Sequence, residues 1–156
     1  MTAGFTIRRA RGDDHLAVAR ELAEYLRFIG DTLDPDGLDH DIAHWQKEYD
    51  GKTGVLLLVV DPAGEVVGTA AVRRLEPGTG ELKRMWLRPA FQGQGLGRRL
   101  LSVCLDEAKS LGCRTLRLDS QTKLEAAVRL YRAHGFTEIP RYNDNPRADI
   151  WMERAL

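Results

Sequence analysis

The sequence predicts an α/β or α+β domain with a mixed sheet flanked by helices. Apolar runs of strand length are separated by Gly- and Pro-containing turns, and other stretches repeat apolar residues every three or four positions. With 156 residues, 43% of them apolar, the chain is expected to form one domain over residues 1–156 whose core needs neither metal nor disulfide.

Phe5 and Ile7 alternate with polar neighbours as a first strand would, directly after Met1, Thr2, Ala3 and Gly4. Asp13 or Asp14 then caps a helix with Leu16, Ala19, Leu22, Ala23 and Leu26 on one face, and Gly30 ends it. Beyond the turn-rich Asp34-Pro35-Asp36-Gly37, the spacing of Leu38, Ile42, Trp45 and Tyr49 predicts a second short helix. Val55 to Val60 is a continuous apolar strand joined through Asp61-Pro62-Ala63-Gly64 to an extended run from Val66 to Leu75, a hairpin. After Pro77-Gly78-Thr79-Gly80, the segment Glu81 to Leu87 mixes apolar and charged residues without strict alternation. That pattern predicts a strand with a local irregularity or with function on one face. A helix follows with Leu100, Leu101, Cys104, Leu105, Ala108 and Leu111, closed by Gly112. A short strand at Thr115 to Asp119, a last helix from Leu124 through Ala127, Val128 and Tyr131 to Gly135, and strands at Phe136 to Ile139 and Ile150 to Met152 complete the chain.

Charge excludes several function classes. Lys plus Arg and Asp plus Glu both total 23, so no basic excess points to nucleic acid and no acidic excess to a solvating tail. A bound anion must therefore be held locally. Cys104 and Cys113 lack metal-ligand spacing and suit a reducing compartment, and neither suits catalysis. His40 and His44 are four apart but have no third ligand at a diagnostic spacing, so no metal is expected. No apolar run approaches the roughly 18 residues that cross a bilayer, so the expectation is a cytoplasmic protein without membrane contact.

The segment with the clearest chemistry is Gln92-Gly93-Gln94-Gly95-Leu96-Gly97, between a strand and a helix. Backbone N–H groups at a helix start point outward with the positive end of the helix dipole behind them. Glycine lets that backbone approach a phosphate closely, and Arg98 adds charge in the first turn. A pyrophosphate suits such a cradle. Two familiar phosphate motifs fail by count: G-x-G-x-x-G needs glycine where Arg98 stands, and the nucleotide-triphosphatase loop needs a Gly-Lys-Ser/Thr ending that is absent.

The Gln92 to Gly97 run is similar to the Q/R-x-x-G-x-G/A signature of the GNAT superfamily of acetyl-CoA-dependent N-acetyltransferases. Glu81-Leu82-Lys83-Arg84-Met85-Trp86-Leu87-Arg88-Pro89 resembles that family's fourth strand, and Leu130-Tyr131 with Gly135-Phe136 resembles its L-Y-x-x-x-G-F signature. One departure is Leu124, seven residues before Tyr131, where many relatives carry asparagine.

The resemblance implies a mostly antiparallel sheet with a splayed central strand pair and acetyl-CoA as co-substrate. It puts pantetheine against the main chain of Met85, Trp86 and Leu87, with an amide at or near Met85 polarising the thioester carbonyl. Pyrophosphate falls to the amides from Gly93 to Arg98. Glu81 takes the position of the base and Tyr131 that of the acid that protonates the departing thiolate. Each has a plainer reading, Glu81 as an exposed charge at a strand start and Tyr131 as a core anchor. The family pattern places the acceptor near Tyr25, Arg27, Arg84, Tyr142 and Asn145, with Arg84 able to pair bidentately with a substrate carboxylate or, in the plainer reading, standing as a surface or strand-paired arginine.

The expected function is therefore transfer of acetyl to a primary amine of a small polar molecule or amino acid. A protein lysine or N-terminal acetyltransferase and a non-catalytic acyl-CoA-binding module are the alternatives; retention of both Glu81 and Tyr131 argues against the module. Oligomeric state is left open between monomer and homodimer.

Overall fold

A computed structural model describes residues 3–156, so Met1 and Thr2 of the lead-in to the first strand lie outside the described residues. In chain order the elements are β1 (Thr6–Arg9), α1 (His15–Ile29), α2 (His40–Ala43), α3 (Trp45–Glu48), β2 (Gly54–Val60), β3 (Val66–Glu76), β4 (Thr79–Leu87), α4 (Leu96–Ser110), β5 (Thr115–Ser120), α5 (Glu125–Ala133), β6 (Thr137–Ile139) and β7 (Ile150–Ala155), with single 3-10 turns at Gly12–Asp14 and Pro89–Phe91. One seven-stranded sheet runs β1-β2-β3-β4-β5-β7-β6, and β4 with β5 is its one parallel pair. The predicted mixed, mostly antiparallel α/β architecture is thus the one observed.

The sheet is covered on both faces. Val55, Leu57 and Val59 of β2 join Val72, Leu82, Leu116 and Leu118 in a core with α4. Leu56 and Leu58 point the other way, into a second core with Val18, Ile42, Trp45 and Tyr49. A strand buried on both faces has no reason to alternate, which explains the unbroken apolar run of β2. In α4, Leu96, Leu100, Leu101, Cys104, Leu105 and Ala108 are buried, one stripe at helical spacing.

The first helix departs from its expected face. Leu16 is 74% exposed, and Ala19 and Ala23 are exposed with it; Leu26 is buried and Leu22 half-buried as expected, and the helix also buries Val18, Glu21 and Ile29. Glu21 on the inner face is matched by Arg88, which donates through Nη2 to Oε2 at 2.5 Å. A charged residue inside this stripe is what a purely apolar periodicity misplaces. Asp14 occupies the N-cap position, but its carboxylate accepts from the Arg11 amide at 2.6 Å and from Arg8 instead of capping the helix. The expected second helix is two short ones, broken at His44, although Ile42, Trp45 and Tyr49 are buried as anticipated.

Two features of β4 position the site. Its register with β5 stops at Leu82 opposite Leu118, whereas β4 continues to Leu87, so the two strands part over five residues of β4. On the other side, Lys83 pairs with Ala71 and Trp86 with Thr69, leaving Arg84 and Met85 without a partner in the register. Arg84 bears the strain of this bulge at φ 57°, a left-handed conformation rare outside glycine.

Candidate active site

A cleft of about 350 Å³ opens where β4 and β5 part. Glu81, Lys83, Arg84 and Met85 contribute one wall, Asp119, Ser120 and Gln121 from the end of β5 another, and Tyr131 of α5 lies against it. Tyr25 of α1 and the loop before β7, through Asn143, Asn145 and Arg147, close the rim.

Beyond the end of β4, the glycine loop has the form of an anion cradle. Gly93 and Gly95 take φ of 76° and 87°. The first helical amide with a main-chain acceptor is that of Arg99, bonded to Gly95 O at 3.1 Å. Among the described residues, none of the amides from Gly93 to Arg98 has a main-chain acceptor, and those outside the buried Leu96 are open to oxygen ligands. A Cβ at Gly97 would meet Leu130 Cδ2 at 3.2 Å, so α4 approaches α5 closely there. Gln92 donates through Nε2 to Leu87 O at 2.8 Å, tying the loop to the end of β4, and Gln94 reaches Ala90 O at 3.3 Å. Leu96 is fully buried and anchors the start of α4 in the core, whereas Arg98 is exposed.

The strained bulge is clamped from both ends. The Arg84 carbonyl accepts from Thr69 Oγ1 at 2.7 Å. Its guanidinium donates to Asp39 Oδ1 at 2.8 Å, Leu38 O at 2.7 Å and Asp41 Oδ1 at 2.5 Å. Asp41 also accepts from the Tyr49 hydroxyl. Burial works to raise the Asp41 carboxyl, but the hydrogen bonds and charge of Arg84 and the charge of Lys83 outweigh it and hold it at about 2. Four of the five guanidinium N–H donors are thus spent on the protein, which removes the expected bidentate pairing with a substrate carboxylate: Arg84 shapes the bulge.

Glu81 is 3% exposed, not a solvent-facing charge at a strand start. Its Oε1 lies 3.1 Å from Arg73 Nη2, and its Oε2 accepts from the Tyr142 hydroxyl at 2.7 Å. Tyr131 is buried and packs edge-on against Phe136 with ring centroids 5.8 Å apart. Burial, followed by the nearby Tyr25, Cys104 and Asp119, pushes its hydroxyl well above the ordinary tyrosine range, so at neutral pH it carries a proton to donate. Among the described residues it has no hydrogen-bond partner.

The remaining expected acceptor residues divide. Tyr25 lines the cleft, its ring edge-on to Trp86 at 5.7 Å. Asn145 also lines it, but donates to Asp119 Oδ1 at 3.2 Å and accepts from the Arg147 amide at 3.0 Å. Tyr142 reaches Glu81 and not the open space. Arg27 does not line the cleft: it is exposed on α1 and pairs with Glu24 at 3.0 Å.

The sequence model of the Acetyltransferase (GNAT) family matches residues 17–136, more than half of the chain. The chain belongs to this GNAT family. It is 33% identical over 144 residues to the IAA acetyltransferase of Azospirillum brasilense, covering 90% of this chain and 91% of that one. An uncharacterised N-acetyltransferase of Schizosaccharomyces pombe is 33% identical over 128 residues, covering 81% and 78%. In fold, the GNAT domain superposes on a GNAT acetyltransferase from Staphylococcus aureus with a TM-score of 0.87 at 18% identity, over 97% of this chain and 98% of that one. It also superposes on an acetyltransferase from Salmonella typhimurium, solved with its cofactor acetyl-CoA, with a TM-score of 0.74 at 24% identity, over 97% and 94%.

Several residues of this GNAT cleft escaped sequence reasoning. Arg147 is held by Asp39 at 2.7 Å and Asp31 at 2.8 Å, anchoring the loop before β7 to the segment after α1. Asp119 gathers Asn143 at 2.6 Å and Asn145 at 3.2 Å. Arg73 faces Glu81 across the β3–β4 ladder, and Lys83 shares the Glu81 face of β4. A period-two reading of β4 puts Glu81 and Lys83 together on one face and was the one signal available for Lys83. Asp119 and Arg147 are joined to their partners across tens of positions, and Arg73 to Glu81 across a hairpin of eight. Leu124, in the place of the family asparagine, also lines the cleft and offers no hydrogen bond there.

Proposed function

We propose that this GNAT domain is an N-acetyltransferase that transfers acetyl from acetyl-CoA to a primary amine of a small polar molecule or amino acid. The observation that carries the reading is the buried Glu81 carboxylate facing the cleft at the point where β4 leaves β5, with Tyr131 on the same cleft. Acetyl-CoA supplies an activated acyl group on a thioester. The protein fits such a group in the amides around Gly93 to Arg98 that have no main-chain acceptor and in the stretch of β4 at Met85, which has no partner in the β3 register.

In this reading the cradle amides and Arg98 hold pyrophosphate, and the main chain of Met85, Trp86 and Leu87 holds the pantetheine arm. An amide at or near Met85 polarises the carbonyl, which lowers the barrier most if it is aimed before reaction. The Arg84 clamp supplies that aim. An amine is mostly protonated at neutral pH, so Glu81 takes its proton, directly or through water, as the nitrogen bonds to the acyl carbon. As the C–S bond breaks, Tyr131 gives its proton to the sulfur and is restored by the second proton that the nitrogen sheds on becoming an amide. A cleft of 350 Å³ lies at the lower end of the range typical of small-molecule sites, which supports a small acceptor over an extended peptide.

The test is release of free thiol from acetyl-CoA across a panel of amines, amino acids and peptides bearing a lysine or a free N-terminus. Small amines or amino acids are expected to give turnover. Turnover on peptides alone would replace this reading with a protein acetyltransferase; bound acetyl-CoA without transfer to any amine would replace it with a binding module.

A further inference from the structure

Among the described residues, Lys83 is the cation lining this cleft that has no hydrogen bond to the protein. Its side chain is only 23% exposed, and its closest counter-charge, Asp41 Oδ1, stands 3.9 Å from Nζ, too far for a hydrogen bond. The other cleft cations are engaged: Arg84 with Asp39 and Asp41, Arg147 with Asp39 and Asp31, and Arg73 with Glu81. Asp41 in turn already accepts from Arg84 and Tyr49. The Lys83 ammonium is therefore open to the cleft on a side chain otherwise mostly buried, and an anionic guest there would meet a charge that no protein group holds by a hydrogen bond.

The position of Lys83 narrows the guest. Lys83 and Glu81 are two residues apart on a regular stretch of β4, opposite Ala71 and Arg73, and so project from the same face. Both line the cleft. A ligand lying along this face meets a carboxylate and, about 6–7 Å along the strand, an ammonium. A molecule carrying an amine and a carboxylate close together complements that pair.

We infer that Lys83 is a substrate-binding residue that recognises a carboxylate on the acceptor, and that the acceptor is an amino acid whose amine faces Glu81 while its carboxylate pairs with Lys83. This rests on the acetyltransferase reading and narrows it from amines in general to amino acids. Burial lowers the Lys83 ammonium, Asp41 raises it, Arg73 and Arg84 lower it, and Glu81 raises it, so a carboxylate in the cleft would add to the charges that hold it protonated. The loss of Arg84 as a carboxylate partner leaves this role to Lys83.

The experiment compares each of the twenty L-amino acids with its carboxamide, which keeps the amine and the side chain but removes the negative charge. Acetyl-CoA-dependent thiol release is measured for the wild type, Lys83→Gln and Lys83→Arg, with acetyl-CoA binding and melting temperature followed for each. The wild type is expected to favour at least one acid over its amide by tenfold or more in kcat/KM. In Lys83→Gln, KM for that acid should rise about tenfold while values for the amide stay within twofold, and Lys83→Arg should keep most of the preference. A wild type that prefers the amides or other uncharged amines, or an unchanged acid-to-amide ratio in folded Lys83→Gln, would overturn the assignment and leave the acetyltransferase reading standing. Absence of transfer to any amine would overturn both.

Discussion

The Tyr142 hydroxyl donates to Glu81 Oε2 at 2.7 Å, joining the loop before β7 to the carboxylate on β4. With Arg73 on Oε1, the orientation of Glu81 is fixed from two sides before any substrate arrives. Glu81→Gln should therefore lower turnover mainly at neutral pH and recover in part as the medium becomes alkaline, because rising pH supplies free amine without a base. Acetyl-CoA affinity should hardly change. The check is a pH profile of turnover for both forms: parallel profiles at equal height would remove Glu81 from proton transfer, and a constant deficit would make it a positioning residue.

Tyr131→Phe should leave stability within about 0.5 kcal/mol, since among the described residues the hydroxyl has no hydrogen bond to lose and the edge contact with Phe136 survives. Turnover should fall by about 100-fold at unchanged acetyl-CoA affinity if the hydroxyl protonates the leaving sulfur. Single-turnover kinetics beside thermal unfolding separates the two effects. Wild-type turnover with chemistry rate-limiting would make Tyr131 a core residue alone.

Acid should weaken the fold through Asp41. Its carboxyl is depressed to about 2 in the folded chain from 3.8, so its contribution is fully present above pH 5 and is lost as pH falls toward 2. The expected contribution is on the order of 2 kcal/mol. Asp41→Asn should lower stability at pH 7 by a similar amount, flatten the dependence between pH 5 and 2, and slow turnover through the Arg84 bulge. Urea unfolding at several pH values measures this; an acid dependence as steep as that of the wild type would contradict it.

Legibility of this molecule tracked the distance over which the residues act. The β2 run, the glycine loop and the α4 stripe are local patterns, and each appears where its spacing put it. The irregularity of β4 was visible as broken alternation, but not its cause, because the Arg84 clamp comes from Asp39 and Asp41, more than forty positions away. Arg84 therefore read as a ligand for substrate when it is a ligand for the protein. The α1 face was misjudged because Glu21 is buried by Arg88, a pairing 67 positions long that turns a polar residue into a core one. Arg147 and Asp39, 108 positions apart, gave no sign in sequence that they close the cleft rim.

The central claim, that the glycine cradle holds the phosphates of acetyl-CoA, is tested most directly at Gly93. A Cβ there has nothing within 4 Å, and its φ of 76° is one that Asn and Asp tolerate better than other side chains, so Gly93→Asp and Gly93→Asn should both fold. They differ only in a negative charge placed in the cradle. Isothermal titration with acetyl-CoA is expected to show affinity reduced at least tenfold further in Gly93→Asp than in Gly93→Asn, a gap that narrows with added salt. Equal affinities in the two folded variants, close to that of the wild type, would contradict the assignment of this loop to the cofactor.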